Sequence, residues 1–528
     1  MVLGVTHPQI VIPTGSPVKP GEAKIDTRAD GNMLRATMRP IGRIGPICLT
    51  LFCAFATAHA ATVTWDTITR LTANSANQVT GRSGQHGLAV DASGDVHVVW
   101  LDQRTVPYQV WYRRYDAGTS TWLAETTLTT QQANCSQPGM ACDSAGNIHV
   151  AWQVMNWNPL GVGTWAKRYN VSTHHWRVDT LIDSTGTSQP QQYPSVACVP
   201  GTGDLEVALY KLPDTGMYTQ VFLKEWHPAT GWDSVVQVSS AAVNHDQVSV
   251  AAGLNGDVAV IWVGKDLGDA YSQVYCRRRV GGTWQGVELV SAPAGLSQYS
   301  PCAAFDREGA VHVVWHGLAG SYQQVFHREC DAGTWSGVDD VSGQQSYQQE
   351  FPSIACDAAG RCHVVWCSQA GGTNYQLAYA QRDTDGVWSS PTTLTALDSG
   401  SVNYPSIACD AVSGIHIVWY DNHTGNQDVY YLHGVPAGTG VLETRPSSVV
   451  PRPYTAATLV RGVLFLRGSR RASSSPGPGC VLDISGRKVL DLLPGANDVR
   501  GLAPGVYFVR EAQTQVQAQA VSKIAITR

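Results

Sequence analysis

Over 528 residues the chain carries only 15% Asp, Glu, Lys and Arg and a formal net charge of -5, with 52 Gly, 17 Trp, 20 Tyr and 8 Phe. So weak and slightly acidic a charge lacks the basic footprint of a partner for nucleic acid or an anionic membrane surface, and neither is expected. Abundant Gly, no long helical period and a surplus of Trp and Tyr, whose polar tips tolerate water, point to an all-β protein with many turns.

Residues 1–37 are rich in Pro and charge and show no periodicity. Met38 to Ala60 then places Arg39 and Arg43 before an apolar run that ends in Ala58-His59-Ala60, the three parts of a secretory signal. The apolar run is too short to span a bilayer, so no membrane span is expected in the mature chain. A signal this far from Met1 suggests a start at Met33 or Met38, and residues 1–60 are expected to be removed.

From 61 to 436 the chain repeats. The stretch DASGDVHVVW, Asp91 to Trp100, returns six times: its tryptophan recurs as Trp152, Trp262, Trp315, Trp366 and Trp419, and a blurred copy, DLEVALY, ends at Tyr210. A period of roughly fifty residues marks a repeat architecture. In the first unit GLAVD reads as strand A, DVHVVW as strand B, YQVWYRRYD as strand C and WLAETTLTT as strand D. Strand B is apolar on both faces, as in a sheet stacked between sheets, and four strands per unit is the blade count of a propeller. The expected fold is therefore a seven-bladed β-propeller over 61–436. The seventh unit stops after DVYYLHG without a strand D, whereas WDTITRLT, Trp65 to Thr72, fits the strand D template and precedes the first strand A. The N-terminal strand should complete the last blade, leaving no open edge at the seam.

The turn between strands C and D reads DAGTSTW at Asp116, DAGTW at Asp331 and DTDGVW at Asp383. These resemble degenerate Asp-boxes, the Asp-x-Gly-x-Trp turns of sialidase-like propellers, and lack their leading Ser or Thr. The resemblance implies the propeller architecture and leaves activity open.

After Pro436 the texture changes to a Pro/Ser/Gly linker, 437–452. Residues 453–528 contain Asp483-Ile484-Ser485-Gly486-Arg487-Lys488-Val489, Gly505-Val506-Tyr507-Phe508 and a tail from Lys523 to Arg528. The segment reads as five to seven short strands with Gly turns, hence a small β-sandwich. It resembles the type A C-terminal sorting domain of the type IX secretion system. That resemblance implies export through the outer membrane of a Gram-negative-type bacterium, with the secretion machinery as a partner and the cell surface or medium as destination.

Of 13 cysteines, Cys48 and Cys53 lie in the signal, leaving 11. Cys142, Cys198, Cys356 and Cys409 hold equivalent places in strand A of different blades and are expected as buried thiols without bridges to one another. His97, His149, His312, His363 and His416 occupy one position of strand B in five blades, so they cannot converge on one ion and are expected to pack structurally. With no CxxC or CxxxH pair, neither a metal nor a cofactor is expected.

Seven loops converge at the start of strand A. The residue at the foot of each is Gln85, Gln137, Tyr193, Gln247, Ser300, Phe351 or Tyr404, and the one before it Gly84, Ser136, Gln192, Asp246, Tyr299, Glu350 or Asn403. Amides offer paired donors and acceptors and aromatic faces offer apolar area at small entropic cost, a mixture that suits sugars. Gln85, Gln137, Tyr193, Gln247, Tyr299, Phe351 and Tyr404 are thus the candidate ligand-binding residues, with a glycan or surface polymer as ligand. A glycoside hydrolase would have to use Asp246 and Glu350. Sialidases also present three arginines, and only Arg104 can be placed near this face from the sequence. The binding reading stands first, the hydrolase second and a protein-binding scaffold third; a plugged, flat face would favour the scaffold.

Overall fold

The computed structural model describes residues 63–82, 84, 86–155, 162–185, 193–213, 216–291 and 295–436, and seven strands between 458 and 526. Seven antiparallel sheets make up residues 63–436. Their innermost strands are Leu88–Val90 in blade 1, Asn134–Cys142 in blade 2, Ser195–Cys198 in blade 3, Asp246–Ala252 in blade 4, Gln298–Phe305 in blade 5, Gln349–Cys356 in blade 6 and Asn403–Cys409 in blade 7. Each touches the next, and the seventh touches the first, so the sheets form a closed ring: a seven-bladed β-propeller. Among the described residues the single helical element is the 3-10 turn Leu254–Gly256.

The seam closes as the repeat count requires. Val63–Trp65 pairs antiparallel with the end of Asp428–Pro436, Val63 opposite Pro436 and Trp65 opposite Gly434, and Thr69–Arg70 pairs with Tyr431 and Tyr430. Blade 7 thereby takes its outer strand from the other end of the chain.

The blades pack through strand B. Trp100, Trp152, Trp262, Trp315, Trp366 and Trp419 are all at most 1% exposed, and large buried rings of this kind dominate the inter-blade core. Five of the indoles also reach a polar partner: Nε1 donates to Asp102, Asp266, Gln298, Gln349 or Asp421. Near the axis, serines of strand A tie neighbouring blades together. Ser406 Oγ accepts the Gly87 N–H (3.1 Å), Ser195 that of Val250 (3.0 Å), Ser249 that of Ala303 (3.3 Å) and Ser353 that of Ile407 (3.4 Å).

The turn from strand A to strand B explains the repeated Asp and His. Asp91, Asp143, Asp357 and Asp410 each use Oδ1 to accept two backbone N–H groups of their own turn. Oδ2 faces the strand B histidine, at 3.2 Å for His149, 3.2 Å for His363 and 3.3 Å for His416. The other ring nitrogen of His97, His363 and His416 meets a strand C hydroxyl, that of Tyr112, Tyr379 or Tyr431. Burial pushes the Asp143 carboxyl up, but the bonds from His149 and Asn147 outweigh it and hold it at about 2. These histidines act blade by blade, each bound to its own aspartate.

The C-terminal strands form two sheets. The first runs Thr458–Val460, Val521–Ile526, Gly505–Arg510, Gly479–Leu482, Lys488–Leu492, with only its first pair parallel, and the second pairs Val463–Leu466 with Gly495–Asp498. The signal region and the linker lie outside the described residues.

Candidate functional site

On the loop face, strand A begins irregularly in blade 2 and in blades 4 to 7. The ladder to strand B slips between Asp246 and Ser249, Tyr299 and Cys302, Glu350 and Ser353, and Asn403 and Ser406, the signature of a β-bulge. The bulged residue is left-handed in every described case: φ is 50° at Gln137, 26° at Tyr193, 51° at Gln247, 49° at Ser300, 56° at Phe351 and 42° at Tyr404. A side chain in this region costs roughly 1–2 kcal/mol. Pro follows five of the six; having no N–H, it leaves no donor unpaired where the ladder breaks. Strain repeated at equivalent positions points from geometry toward function.

These residues surround a cavity of about 100 Å³ lined by Arg82, Tyr193, Gln247, Val248, Ser300, Phe351 and Tyr404. Its wall is aromatic on one side: Phe351 and Tyr404 lie 4.5 Å apart between centroids, Tyr404 and Tyr420 6.2 Å, and His316 stands edge-on to Phe351 at 5.3 Å. Opposite, Tyr193 packs edge-on against Tyr210 at 5.7 Å and carries the Arg82 guanidinium 4.8 Å over its ring. Gln247 Oε1 accepts the Ser300 N–H at 2.6 Å, which fixes its amide.

The floor comes from an unexpected place. Between Val79 and Leu88 the chain leaves blade 1 and crosses the axis. Thr80 Oγ1 donates to Tyr404 O in blade 7 (3.1 Å), Gly84 O accepts from Ser195 Oγ in blade 3 (2.5 Å), and His86 O accepts from Met140 N in blade 2 (2.8 Å). Gly84 has φ +81°, and a Cβ there would meet Pro301 O at 2.9 Å and Val248 O at 3.1 Å. Only glycine combines that backbone with so close an approach. The channel is therefore plugged while the face above it stays concave.

Of the candidate ligand-binding residues, Tyr193, Gln247, Phe351 and Tyr404 line the cavity together with Ser300. Gln137 and Tyr299 are half-buried and do not line it; Tyr299 stacks near His316 at 5.9 Å. Gln85 lies outside the described residues, and Gly84, expected as one of seven equivalent rim positions, is the plug instead. Neither Asp246 nor Glu350 lines the cavity. Glu350 accepts from the Tyr375 hydroxyl at 2.7 Å, and Asp246 is exposed at its strand end. The arginine expectation needs correction. Arg104 is held in blade 1 by Asp102 and Glu125, both at 2.6 Å, and lies over Trp111, whereas Arg82 on the crossing segment lines the cavity. A cavity that faces a guanidinium is not restricted to uncharged ligands. The Gly81-Arg82-Ser83-Gly84 run, with no Pro before strand A, was the available signal that blade 1 departs from its repeats.

Burial pushes His316 down to about 3 and His86 to about 4. The folded state refuses protons that the unfolded chain takes up near pH 6.5, so stability is full above that value and falls as pH drops toward 4. Acidification from pH 7.5 to 5 should cost about 2 kcal/mol through the buried His316 and less through the half-buried His86, read as a lower urea midpoint, and His316→Phe should flatten part of that slope. A midpoint unchanged between pH 7.5 and 5 would show that these rings protonate in place.

No known family model matches the chain, and no curated protein matches it. Solved structures with similar chain paths include a protein of unknown function from Dyadobacter fermentans (12% identity over 70% of this chain and 99% of that one, TM-score 0.42). Others are the polysaccharide lyase Uly1 (10%, 68% and 90%, TM-score 0.46) and a Hadza microbial sialidase (12%, 64% and 73%, TM-score 0.39). No ligand or chemistry is carried over from them.

Proposed function

We propose that this is an exported propeller that binds an extracellular glycan or surface polymer at the cavity on its loop face. The observation that carries the reading is that five blades, 3 to 7, spend left-handed backbone to present Tyr193, Gln247, Ser300, Phe351 and Tyr404 to one space. Aromatic faces with a fixed amide and hydroxyl suit a sugar's apolar ring faces and hydroxyl edges. About 100 Å³ is small beside the ~300–1,000 Å³ of sites that enclose a small molecule, so a polymer would lie across the face with one unit dipping in. Arg82 adds room for one acidic group. Residues 453–528 would address the protein to type IX secretion and hence to the cell surface or medium.

A glycan array read for both capture and hydrolysis tests this. Tyr404→Ala and Tyr193→Ala should each weaken capture by about 1–3 kcal/mol, the scale of losing a buried ring face. Asp246→Asn and Glu350→Gln should leave capture unchanged. Turnover abolished by either carboxyl substitution would establish the hydrolase instead. Capture that ignores both tyrosines would move the site away from the axis.

A further inference from the structure

The Asp–His–Tyr arrangement that blades 1, 6 and 7 share is altered in blade 5, and a second change in blade 6 meets it. In blade 5 the strand C residue facing the histidine is His327, where blades 1, 6 and 7 have Tyr112, Tyr379 and Tyr431. In blade 6 the residue before the strand B histidine is Cys362, where the other blades have Val96, Ile148, Leu205, Val258, Val311 and Ile415. His312 of blade 5 lies with Cys356 and Cys362 of blade 6 in one cluster, their ligand atoms within 4.8 Å of one another. Cys356 and Cys362 are direct cross-strand partners, and their sulfurs are 2.7 Å apart. Asp357 N donates to Arg361 O at 2.8 Å, so the next pair outward, Cys356 and Cys362, is a non-hydrogen-bonded one. Such pairs bring Cα atoms to about 4.5 Å, inside the window of roughly 4.4–6.8 Å that a disulfide needs.

Counting protons shows what His327 does. Asp306 Oδ2 faces His312 Nε2 at 3.3 Å, His312 Nδ1 faces His327 Nε2 at 3.0 Å, and His327 Nδ1 faces Asp339 Oδ2 at 3.1 Å. Three contacts need three ring protons, and two neutral imidazoles hold two. The chain closes only if one ring is an imidazolium, whereas a Tyr in place of His327 would close it with both groups neutral. Desolvation opposes charge on His312, but Asp306 and Cys362 outweigh it and raise the ring to about 9, while burial pushes His327 down to about 4. Cys356 first, then His312, draw the Cys362 thiol down against burial, with Arg382 of the same blade adding to the pull; burial raises Cys356. Arg382 is itself paired with Glu329 at 2.7 Å, and the Cys409 thiol of blade 7 also faces Cys356.

We propose that Cys356 and Cys362 are a reversible dithiol–disulfide couple, with Cys362 the leaving thiolate and His312 its positioning cation. Cys362 is 2% exposed and Cys356 half-buried, so of the two sulfurs Cys356 is the one an external thiolate would have to attack. In reduction, a low-molecular-weight thiolate attacks Cys356 Sγ, the Cys356–Cys362 bond breaks, and Cys362 departs as a thiolate beside the imidazolium. A second thiolate attacks the outer sulfur of the mixed disulfide, and Cys356 leaves and takes a proton. Two electrons pass to the protein and two small thiols end as one small disulfide. Oxidation is the reverse, with that small disulfide as oxidant. A stabilised leaving thiolate makes the protein disulfide easier to reduce.

The full chain, equilibrated in glutathione buffers of graded reduced-to-oxidised ratio, then alkylated and mapped by mass, tests the couple. The oxidised end should yield a Cys356–Cys362 cross-linked peptide lighter by two hydrogens, and the reduced end both cysteines alkylated. His327→Tyr, which installs the ring pair that blades 1, 6 and 7 already tolerate, should move the midpoint toward more reducing buffers by about tenfold, or about 30 mV. Both thiols alkylated at every ratio, or stoichiometric zinc released on unfolding, would overturn the couple. A midpoint unmoved by His327→Tyr would remove His312 from it.

Discussion

A chain beginning at Ala73 should fail to unfold as a single cooperative unit. Loss of Val63 to Thr72 exposes the strand Asp428–Pro436 along one side and empties the place of Leu71, which is 3% exposed. It also strips Asp428, which has no exposed surface, of both Arg70 (2.5 Å) and Thr72 (3.1 Å). Leaving the buried Asp428 carboxylate short of two partners costs about 1–3 kcal/mol and truncating a buried leucine about 2–5. Together these rival the 5–15 kcal/mol that holds a typical domain. The bare edge would in addition template association between copies. Urea unfolding followed by fluorescence and circular dichroism should show broad, non-coincident transitions and concentration-dependent scattering. A truncated chain with the parent's midpoint and slope would mean that six complete blades hold the ring alone. Gly434→Ala is the milder version, since its new Cβ would run into the Trp65 ring.

Asp357→Ala should be the most damaging single substitution in the turns. Asp357, 3% exposed, accepts from Ala359 N and Arg361 N (2.9 Å each), from the Arg361 guanidinium, and faces His363 at 3.2 Å. Without it a fully buried histidine and a mostly buried arginine lose their shared partner, at about 3–5 kcal/mol. Asp383→Ala, in an exposed C-to-D turn where the carboxylate accepts only Asp385 N and Val387 N, should cost about 1 kcal/mol. Burial raises the Asp357 carboxyl, but His363 and Arg361 hold it well below the usual range. Its contribution is therefore present above the unfolded value near pH 4 and lost as pH falls further. The comparison is read from urea midpoints of the two variants at pH 7. Equal losses would show that the A-to-B turn has no special weight.

The period of the Trp and the displaced WDTITRLT were enough to give seven blades and a closed seam, because both follow from patterning that repeats. The start of strand A was legible in the same way: Tyr193, Gln247, Ser300, Phe351 and Tyr404 were identified by offset from the strand, and the bulge that turns them inward recurs with the Pro that follows. What the sequence concealed was the exception. Averaging seven copies assigns Gly84 and Gln85 to the rim, yet Gly84 crosses the axis, and its neighbour Arg82 replaces Arg104 as the cation of the face. The proton requirement of the His312–His327 pair was equally hidden, since it depends on which ring atoms face each other across two strands of one blade.

That exception gives the face a bearing. Seven like loops around an axis cannot distinguish one azimuth from another, and a flat ring settling on them could rest in several equivalent headings. The crossing segment breaks the degeneracy: it fixes a guanidinium over Tyr193 while the far wall stays aromatic from Phe351 to Tyr420. Whatever rests there meets a compass needle, and a chain with two distinguishable ends would lie across the rotor in one direction only.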